Sequence, residues 1–403
     1  MPNILLTGGR APATLELARA FHRAGHSVFM AESLRGHLSE PSASLAQNFL
    51  VPPPRQQTRE FLDALEKIVC EHKIDLVIPT CEEVFYVAMG RERFPAFVEP
   101  LEKLRQLHNK WEFIELARGL GLPVPETTLI ETEARLKSAM TRWRGLVVKP
   151  VYSRFASRTL IRPTLDQAKS IVTFDARWIA QEFIAGTQIC TYTVCQRGRV
   201  TAHTAYRSDF TAGQGATILF RHVNHASTFE WVKKFVAATD FTGQIAFDFI
   251  EQEDGDIFAI ECNPRAISGT HLLARDPKFP DAFFDSESRS PKSPDFGAKS
   301  GDFAVRDLDY VMPTDDFSVQ LWTGMLVYGL PASLKKRQFK KWFAAFASSR
   351  DVIFRRNDPL PALLQWRSIF HYLQLARRET ITPLEASTFD IEWNGENEDP
   401  KGF

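Results

Sequence analysis

The chain opens on a short apolar run, Asn3-Ile4-Leu5-Leu6, then a polar glycine turn, Thr7-Gly8-Gly9-Arg10, then apolar positions at Leu15, Leu17, Ala18, Ala20 and Phe21. The run predicts a strand and the later spacing a helix. Ala24-Gly25-His26 stops that helix and Ser27-Val28-Phe29-Met30 follows as a second strand, so the start reads as a βαβ unit. A further helix over 58–71 leads into Ile74-Asp75-Leu76-Val77-Ile78-Pro79, whose nearly continuous apolar character suits a parallel strand covered on both faces. An open, parallel-sheet α/β domain is therefore expected over residues 1–107.

The pattern changes at Asn109. A helix from Lys110 ends in Gly-Leu-Pro-Val-Pro, and strand candidates follow at 145–149, 178–183, 189–195, 199–205, 244–250 and 257–261, mixed with short helices. This predicts an α+β domain over 108–275. Residues 276–302 are rich in Asp, Ser, Pro and Lys without periodicity and read as an exposed linker. Amphipathic spacing near 317–328, 334–348 and 360–378 makes 303–403 a mostly helical C-terminal extension or lid. Within it, Arg350, Arg355, Arg356, Arg377 and Arg378 are interleaved with Phe and Trp, which reads as a solvated helical face or a substrate lid.

Composition narrows the partners. Lys plus Arg is 49 and Asp plus Glu is 49, so no net field draws nucleic acid or an acidic membrane, and neither is expected as a partner. The five cysteines include no CxxC pair and read as reduced thiols, with Cys262 the one expected to line a site. The opening MPNILLTGG lacks a basic and then a long apolar region, and no stretch reaches the roughly 18 apolar residues of a membrane span, so a cytoplasmic protein is expected.

The segment from Gly243 to Arg265 carries the chemistry. Two mostly apolar strands flank a Glu-Asp-Gly-Asp turn, which predicts a hairpin. Alternation along the second strand sends Ala259, Glu261 and Asn263 to one face, with Asp248 on the paired strand able to come level with Glu261. Buried carboxylates need a partner, and a divalent cation bridging phosphate oxygens supplies one. The alternative is an Asp248 that faces solvent and a Glu261 that pairs with Arg265.

Asp248 followed by Ile260-Glu261-Cys262-Asn263-Pro264-Arg265 resembles the ATP-grasp superfamily, in its peptide-ligase branch and in the branch of carbamoyl-phosphate synthetase and biotin carboxylase. The resemblance runs in order over roughly residues 1–275. It implies a pre-ATP-grasp domain, then an ATP-grasp domain whose two lobes hinge near 182–186. It also implies ATP with two magnesium ions, manganese being a substitute, on Asp248, Glu261 and Asn263. By the same resemblance Lys149, at the end of Leu146-Val147-Val148, and Lys110 contact phosphates, and Arg265 neutralises an acyl phosphate, with Arg265 and Lys149 the catalytic pair.

The resemblance also makes Gln181, Glu182, Phe183 and Ile184 the adenine-reading hinge, while Gln188 stands where relatives carry a ribose-binding Glu. Residues 151–159 replace a glycine-rich flap, so Ser153, Ser157 and an arginine, Arg154 or Arg158, are expected to serve the phosphates, a basic surface loop being the alternative. Thr211 to Ala216 is either a substrate loop or a tight turn. Glu82 and Glu83 either recognise an amine or start a solvated helix. The implied activity joins a small-molecule carboxylate to an amine through an acyl phosphate, releasing ADP and phosphate. Activation of bicarbonate by the same scaffold, or nucleotide binding without turnover, are the alternatives. A homodimer is the default for a soluble enzyme of this kind.

Overall fold

The computed structural model describes residues 1–143, 145–154, 158–174, 176–212, 215–285 and 310–395. The opening apolar runs become β1 (Asn3–Thr7), β2 (Ser27–Glu32), β3 (Gln47–Leu50) and β4 (Leu76–Ile78), all parallel in the order β3-β2-β1-β4. Helix Pro12–Arg23 begins with Pro12 in its first turn, where a missing N–H costs nothing. At the turn after β1, Gly8 has φ +78°, and a Cβ there would lie 2.7 Å from Thr80 and 2.9 Å from Glu83. Only glycine meets both demands. The turn thereby comes against the residues that follow β4.

Two further sheets form the middle of the chain. The smaller comprises β5 (Thr127–Ile130), β6 (Leu146–Pro150), β7 (Leu160–Ile161) and β8 (Trp178–Glu182), antiparallel in the order β5-β8-β6-β7. It has its own core, in which Ile130, Leu136, Leu146, Val148 and Trp178 are buried together. The larger comprises β9 (Thr187–Gln196), β10 (Arg199–Ala212), β11 (Ala216–Val223), β12 (Gly243–Glu251), β13 (Ile257–Asn263), β14 (Ser318–Gln320) and β15 (Arg350–Asp351), in the order β13-β12-β9-β10-β11-β14-β15. Residues 183–186 are the whole connection between the two sheets. A Cβ at Gly186 would sit 2.1 Å from the Glu251 carbonyl oxygen, so that connection can hug the end of β12 only as glycine.

The α/β domain and the larger sheet share one core, which runs from Leu5, Phe85 and Trp393 to Phe247 and Ala259. Behind the β12–β13 hairpin, Trp231 lies 5.2 Å from Phe235 and 5.0 Å from Phe247, with Phe113 5.9 Å from Phe247. This aromatic wall fixes the inner face of the hairpin and leaves its other face to the site.

Two stretches differ from expectation. Of the supposed linker, residues 276–285 are packed: Phe279 and Phe283 are buried beside Phe21 and Phe97, because the phenylalanines among the polar residues have an apolar neighbour to meet; residues 286–302 lie outside the described ones. The C-terminal stretch is mostly helical, with helices Leu330–Lys335, Phe339–Ser348 and Trp366–Glu379, but it also lends β14 and β15 to the larger sheet. The Gln320 amide clamps them by donating to the carbonyls of Phe346 and Ser349 at 2.7 and 2.8 Å. Among the described residues no helix is long and apolar enough to cross a membrane.

Candidate functional site

The hairpin brings Asp248 level with Glu261 and Ala246 level with Asn263, so the two carboxylates and the amide share the face turned from the aromatic wall. The ladder skips Ile260, because Asp248 pairs with Glu261 while Phe249 pairs with Ala259. This one-residue bulge corrects the expected alternation: Ala259 is buried in the core with Phe249 and does not accompany Glu261. It also turns the Ile260 carbonyl toward β6, where it accepts a hydrogen bond from Lys149 Nζ at 3.1 Å. Cys262 pairs with Phe247 on the core face and does not line the site. The cysteine that adjoins the carboxylates is Cys190, opposite Asp248 on β9, whose thiol hydrogen-bonds to it.

Two lysines close on this face. Asn109 caps helix Lys110–Gly119 by accepting from the amides of Trp111 and Glu112, which sets Lys110 at the first helical position. Lys110 is 2% exposed, so it is no solvated helix residue; its Nζ lies 3.4 Å from Glu261 Oε1 and donates to the Ser153 carbonyl at 3.2 Å. Burial, against the pull of Glu261, brings the Lys149 ammonium down to about 8. Burial and the neighbouring Glu261 push the Asp248 carboxyl up to about 6. Both shifts express one imbalance: the site concentrates charge that lacks enough counter-charge of its own.

Glu261 therefore pairs with Lys110, not with Arg265. Arg265 turns instead to the α/β domain, its Nη2 donating to Asn263 Oδ1 at 3.2 Å and reaching Glu82 Oε1 at 3.5 Å, while its Nε is buried without a partner. Glu82 and Glu83 are each 2% exposed, so neither starts a solvated helix. Burial raises the Glu82 carboxyl, but Arg154, Arg265 and His108 overcome it and hold the group at about 2. Glu83 Oε1 accepts from Thr7 Oγ1 at 2.7 Å and from the Thr80 and Cys81 amides at 3.0 Å.

At Arg154 the loop after β6 departs from both sequence readings. Arg154 is neither a phosphate arm nor a surface residue: it is ion-paired to Glu82, lies 2.8 Å from Glu392 Oε2 and donates to the Trp393 carbonyl at 3.0 Å. Arg158 lies over the Trp178 ring, 5.5 Å from its centroid. Ser153 contributes its carbonyl, and Ser157 lies outside the described residues.

In the connection between the sheets, the Gln181 side chain is spent on Thr127 Oγ1 at 3.2 Å, and the amides of Glu182 and Phe183 donate to the carbonyls of Glu126 and Gly145. Arg162 covers the Phe183 ring at 5.3 Å, Ile184 is half-buried, and Gln188 reaches Cys190 Sγ at 3.8 Å. Thr211 and Ala216 end and begin a paired hairpin of β10 and β11, with Gly213 and Gln214 outside the described residues.

One group escaped sequence reasoning. The segment Asp390-Ile-Glu-Trp-Asn-Gly395 straps the α/β domain beside Glu82. Trp393 is 0% exposed and stacks on Phe85 at 4.8 Å with Tyr152 edge-on at 5.6 Å; Asp390 meets Arg10 at 2.5 Å; Glu392 pairs with both Arg55 and Arg154. A buried-type tryptophan among charged residues was the only signal, and it names no partner.

Among the described residues no group of three or more His, Cys, Asp and Glu gathers as a metal cage. The donor set, two carboxylates and an amide on one face, suits magnesium all the same. That ion takes one or two carboxylates and leaves its other positions to phosphate oxygens and water. The raised Asp248 carboxyl marks where a cation would relieve repulsion.

Comparison with known proteins agrees with this geometry. Residues 107–269 match the ATP-grasp domain family. An uncharacterized protein of Methanocaldococcus jannaschii is 22% identical over 173 residues, which is 42% of this chain and 43% of that protein, so the match spans less than half of the relative. Among solved structures, L-amino acid ligase from Bacillus licheniformis superposes with TM-score 0.55 at 16% identity, over 68% of this chain and 70% of that one. N5-carboxyaminoimidazole synthetase from Staphylococcus aureus gives 0.54 at 11%, over 66% and 71%. Biotin carboxylase from Campylobacter jejuni gives 0.58 at 11%, over 73% and 72%. These likenesses concern the fold; what the matched stretch adds is an ATP-grasp domain over residues 107–269.

Proposed function

We propose that the chain is an ATP-dependent carboxylate–amine ligase that works through an acyl phosphate. One observation carries this reading: Asp248 and Glu261 stand opposite each other on a fixed hairpin, with the buried Lys110 and Lys149 converging on the same face. Asp248, Glu261 and Asn263 would hold magnesium, which, when bound, offsets phosphate charge. Lys110 and Lys149 neutralise and orient the triphosphate as buried point charges, which counts for more in a dry site than in water. The substrate carboxylate takes the γ-phosphoryl group, ADP leaves, and the amine displaces phosphate to form the amide. Such chemistry rests on positioning and electrostatics.

Arg265 is suited to the acyl phosphate because its buried Nε is unspent while Asn263 and Glu82 fix the guanidinium plane. Adenine would lie against the connection at 183–186, between the two sheets. A cytoplasmic location, where ATP is supplied, goes with this reading.

The test is ADP release by the purified chain with magnesium and ATP, screened against pairs of amino acids, small carboxylates and bicarbonate, with the product's mass measured. Release that needs an amine, and a product heavier by condensation with loss of water, supports the ligase. Dependence on bicarbonate alone would replace it with a carboxylase.

A further inference from the structure

The helices that follow β14 carry their apolar side chains on the outside. In helix Trp366–Glu379, Trp366, Ile369, Phe370 and Leu373 are 60, 46, 57 and 41% exposed. Their spacing of three, four and seven residues is one helical stripe, the kind that normally faces a core. Here the two buried positions are small: Ser368 donates to the Gly36 carbonyl at 2.8 Å, and Ala376 is the other. Leu360 and Leu363, 49 and 62% exposed, extend the stripe backward. The preceding helices repeat the arrangement, with Val327 63%, Leu334 58% and Phe343 58% exposed while Trp342 and Ala345 face in. Trp322 and Phe354, 42 and 39% exposed, stack on each other at 6.4 Å between the segments that lead into the two sets.

Charge accompanies this surface. Residues 321–379 contain eleven Lys and Arg against three acids, Asp351, Asp358 and Glu379, in a chain whose total is balanced. Asp351 and Asp358 are buried, the first accepting from the amides of Trp322 and Phe354 and the second pairing with Arg19, while Glu379 pairs with Arg378. Lys335, Lys336, Arg337, Lys340, Lys341 and Arg377 are all exposed. The outer surface is thus apolar and positive together.

We propose that this surface docks on an anionic phospholipid bilayer, with Trp366, Ile369, Phe370 and Leu373 entering the acyl boundary and the lysines resting on head groups. Amphipathic helices with large apolar residues on one side and Lys and Arg beside them lie in the membrane interface in this way. A second copy is a poorer occupant, because a two-fold contact would set the same positive surface against itself. Nucleic acid would meet the charges but leave Leu363, Ile369 and Leu373 nothing to bury against. Membrane docking departs from the expectation, drawn from the balanced total, that no membrane is a partner, because it rests on local charge.

The test is flotation of the full chain with vesicles of phosphatidylcholine alone and of phosphatidylcholine mixed with phosphatidylserine. The chain should float with the mixed vesicles, less so as salt rises, and not with phosphatidylcholine. Changing Trp366, Phe370 and Leu373 together to Ser should abolish flotation, and changing Lys335, Lys336, Lys340 and Lys341 to Glu should weaken it by about 100-fold or more. Both sets are exposed, and an unchanged thermal unfolding curve verifies that each variant folds. Wild-type chain that stays with the pellet overturns the proposal. So does a dimer in sedimentation velocity that the serine variant dissolves without any vesicle binding, or retention of a DNA or RNA duplex in place of vesicles.

Discussion

The β12–β13 hairpin and the helices after β14 depart from the usual partition of residues in opposite senses. At the hairpin, two partly buried carboxylates and two buried lysines converge on the face turned from the aromatic wall, and the Asp248 carboxyl and Lys149 ammonium are both pushed toward neutrality. On the C-terminal helices, Trp366, Phe370 and Leu363 are left in water while serine and alanine face inward. Each arrangement is unfavourable for an isolated folded chain: burial of under-paired charge in the first, forfeited burial of about 2 kcal/mol per large side chain in the second. The lesson lies in what would relieve each. On the readings proposed above, a triphosphate with its cation would complete the charges at the hairpin, and an apolar, anionic surface would complete the helices.

Substitutions in the two regions should act very differently. The largest effect is expected at the hairpin, where Glu261→Gln should lower ADP release by about 1,000-fold while moving the unfolding midpoint little, because losing the ion pair with Lys110 is offset by relief of the repulsion between Glu261 and Asp248. A fall in both activity and stability would mean that Glu261 is structural. Next comes the strap, which resembles neither region because its aromatic ring is inside and its charges are paired. Trp393→Ala should cost about 3–5 kcal/mol in urea unfolding, since a fully buried ring leaves a cavity among Phe85, His108 and Tyr152.

A smaller effect is expected in the pH dependence of stability. The Asp248 carboxyl sits at about 6 in the folded chain and ordinarily at 3.8, so between those values the folded state holds a proton that the unfolded state has lost. Its contribution to stability is then full below the ordinary value and declines as pH rises through about 6. Asp248→Asn should flatten that slope in unfolding curves taken from pH 4 to 7. Lys149 works in the other direction: between about 8 and 10.5 the unfolded state binds more protons, so stability should rise with pH there, and Lys149→Met should remove the rise. The smallest effect is expected on the helices, where Trp366→Ser or Phe370→Ser should shift stability by no more than about 0.5 kcal/mol, the range for exposed positions. A larger loss would show these rings to be packed, and the contrast with the hairpin would fall.

What the sequence made legible follows the range of the interactions. The parallel strands at the start and the hairpin at Asp248 and Glu261 were readable because periodicity and turn residues are local. The bulge at Ile260 was not, since one unpaired residue leaves no compositional mark yet moves Ala259 to the core and frees a carbonyl for Lys149. The positions of Arg154 and Trp393 were hidden for a different reason: Arg154 meets Glu82 from 72 residues away and Glu392 and Trp393 from 238 and 239, and nothing local selects any of them. On the C-terminal helices the apolar stripe was visible, but a stripe does not say which side of a helix the protein keeps.

The strap has a consequence for how the protein is made. Glu82 and Phe85 are translated before the residues that seal them: Trp393 comes 311 positions after Glu82, and Glu392 238 after Arg154. Until then a growing chain holds a bare aromatic floor and an Arg154–Glu82 pair without its cover. The strap thus acts as a latch, and a chain that stops short of residue 390 carries Asp248, Glu261 and both lysines with its first domain still open.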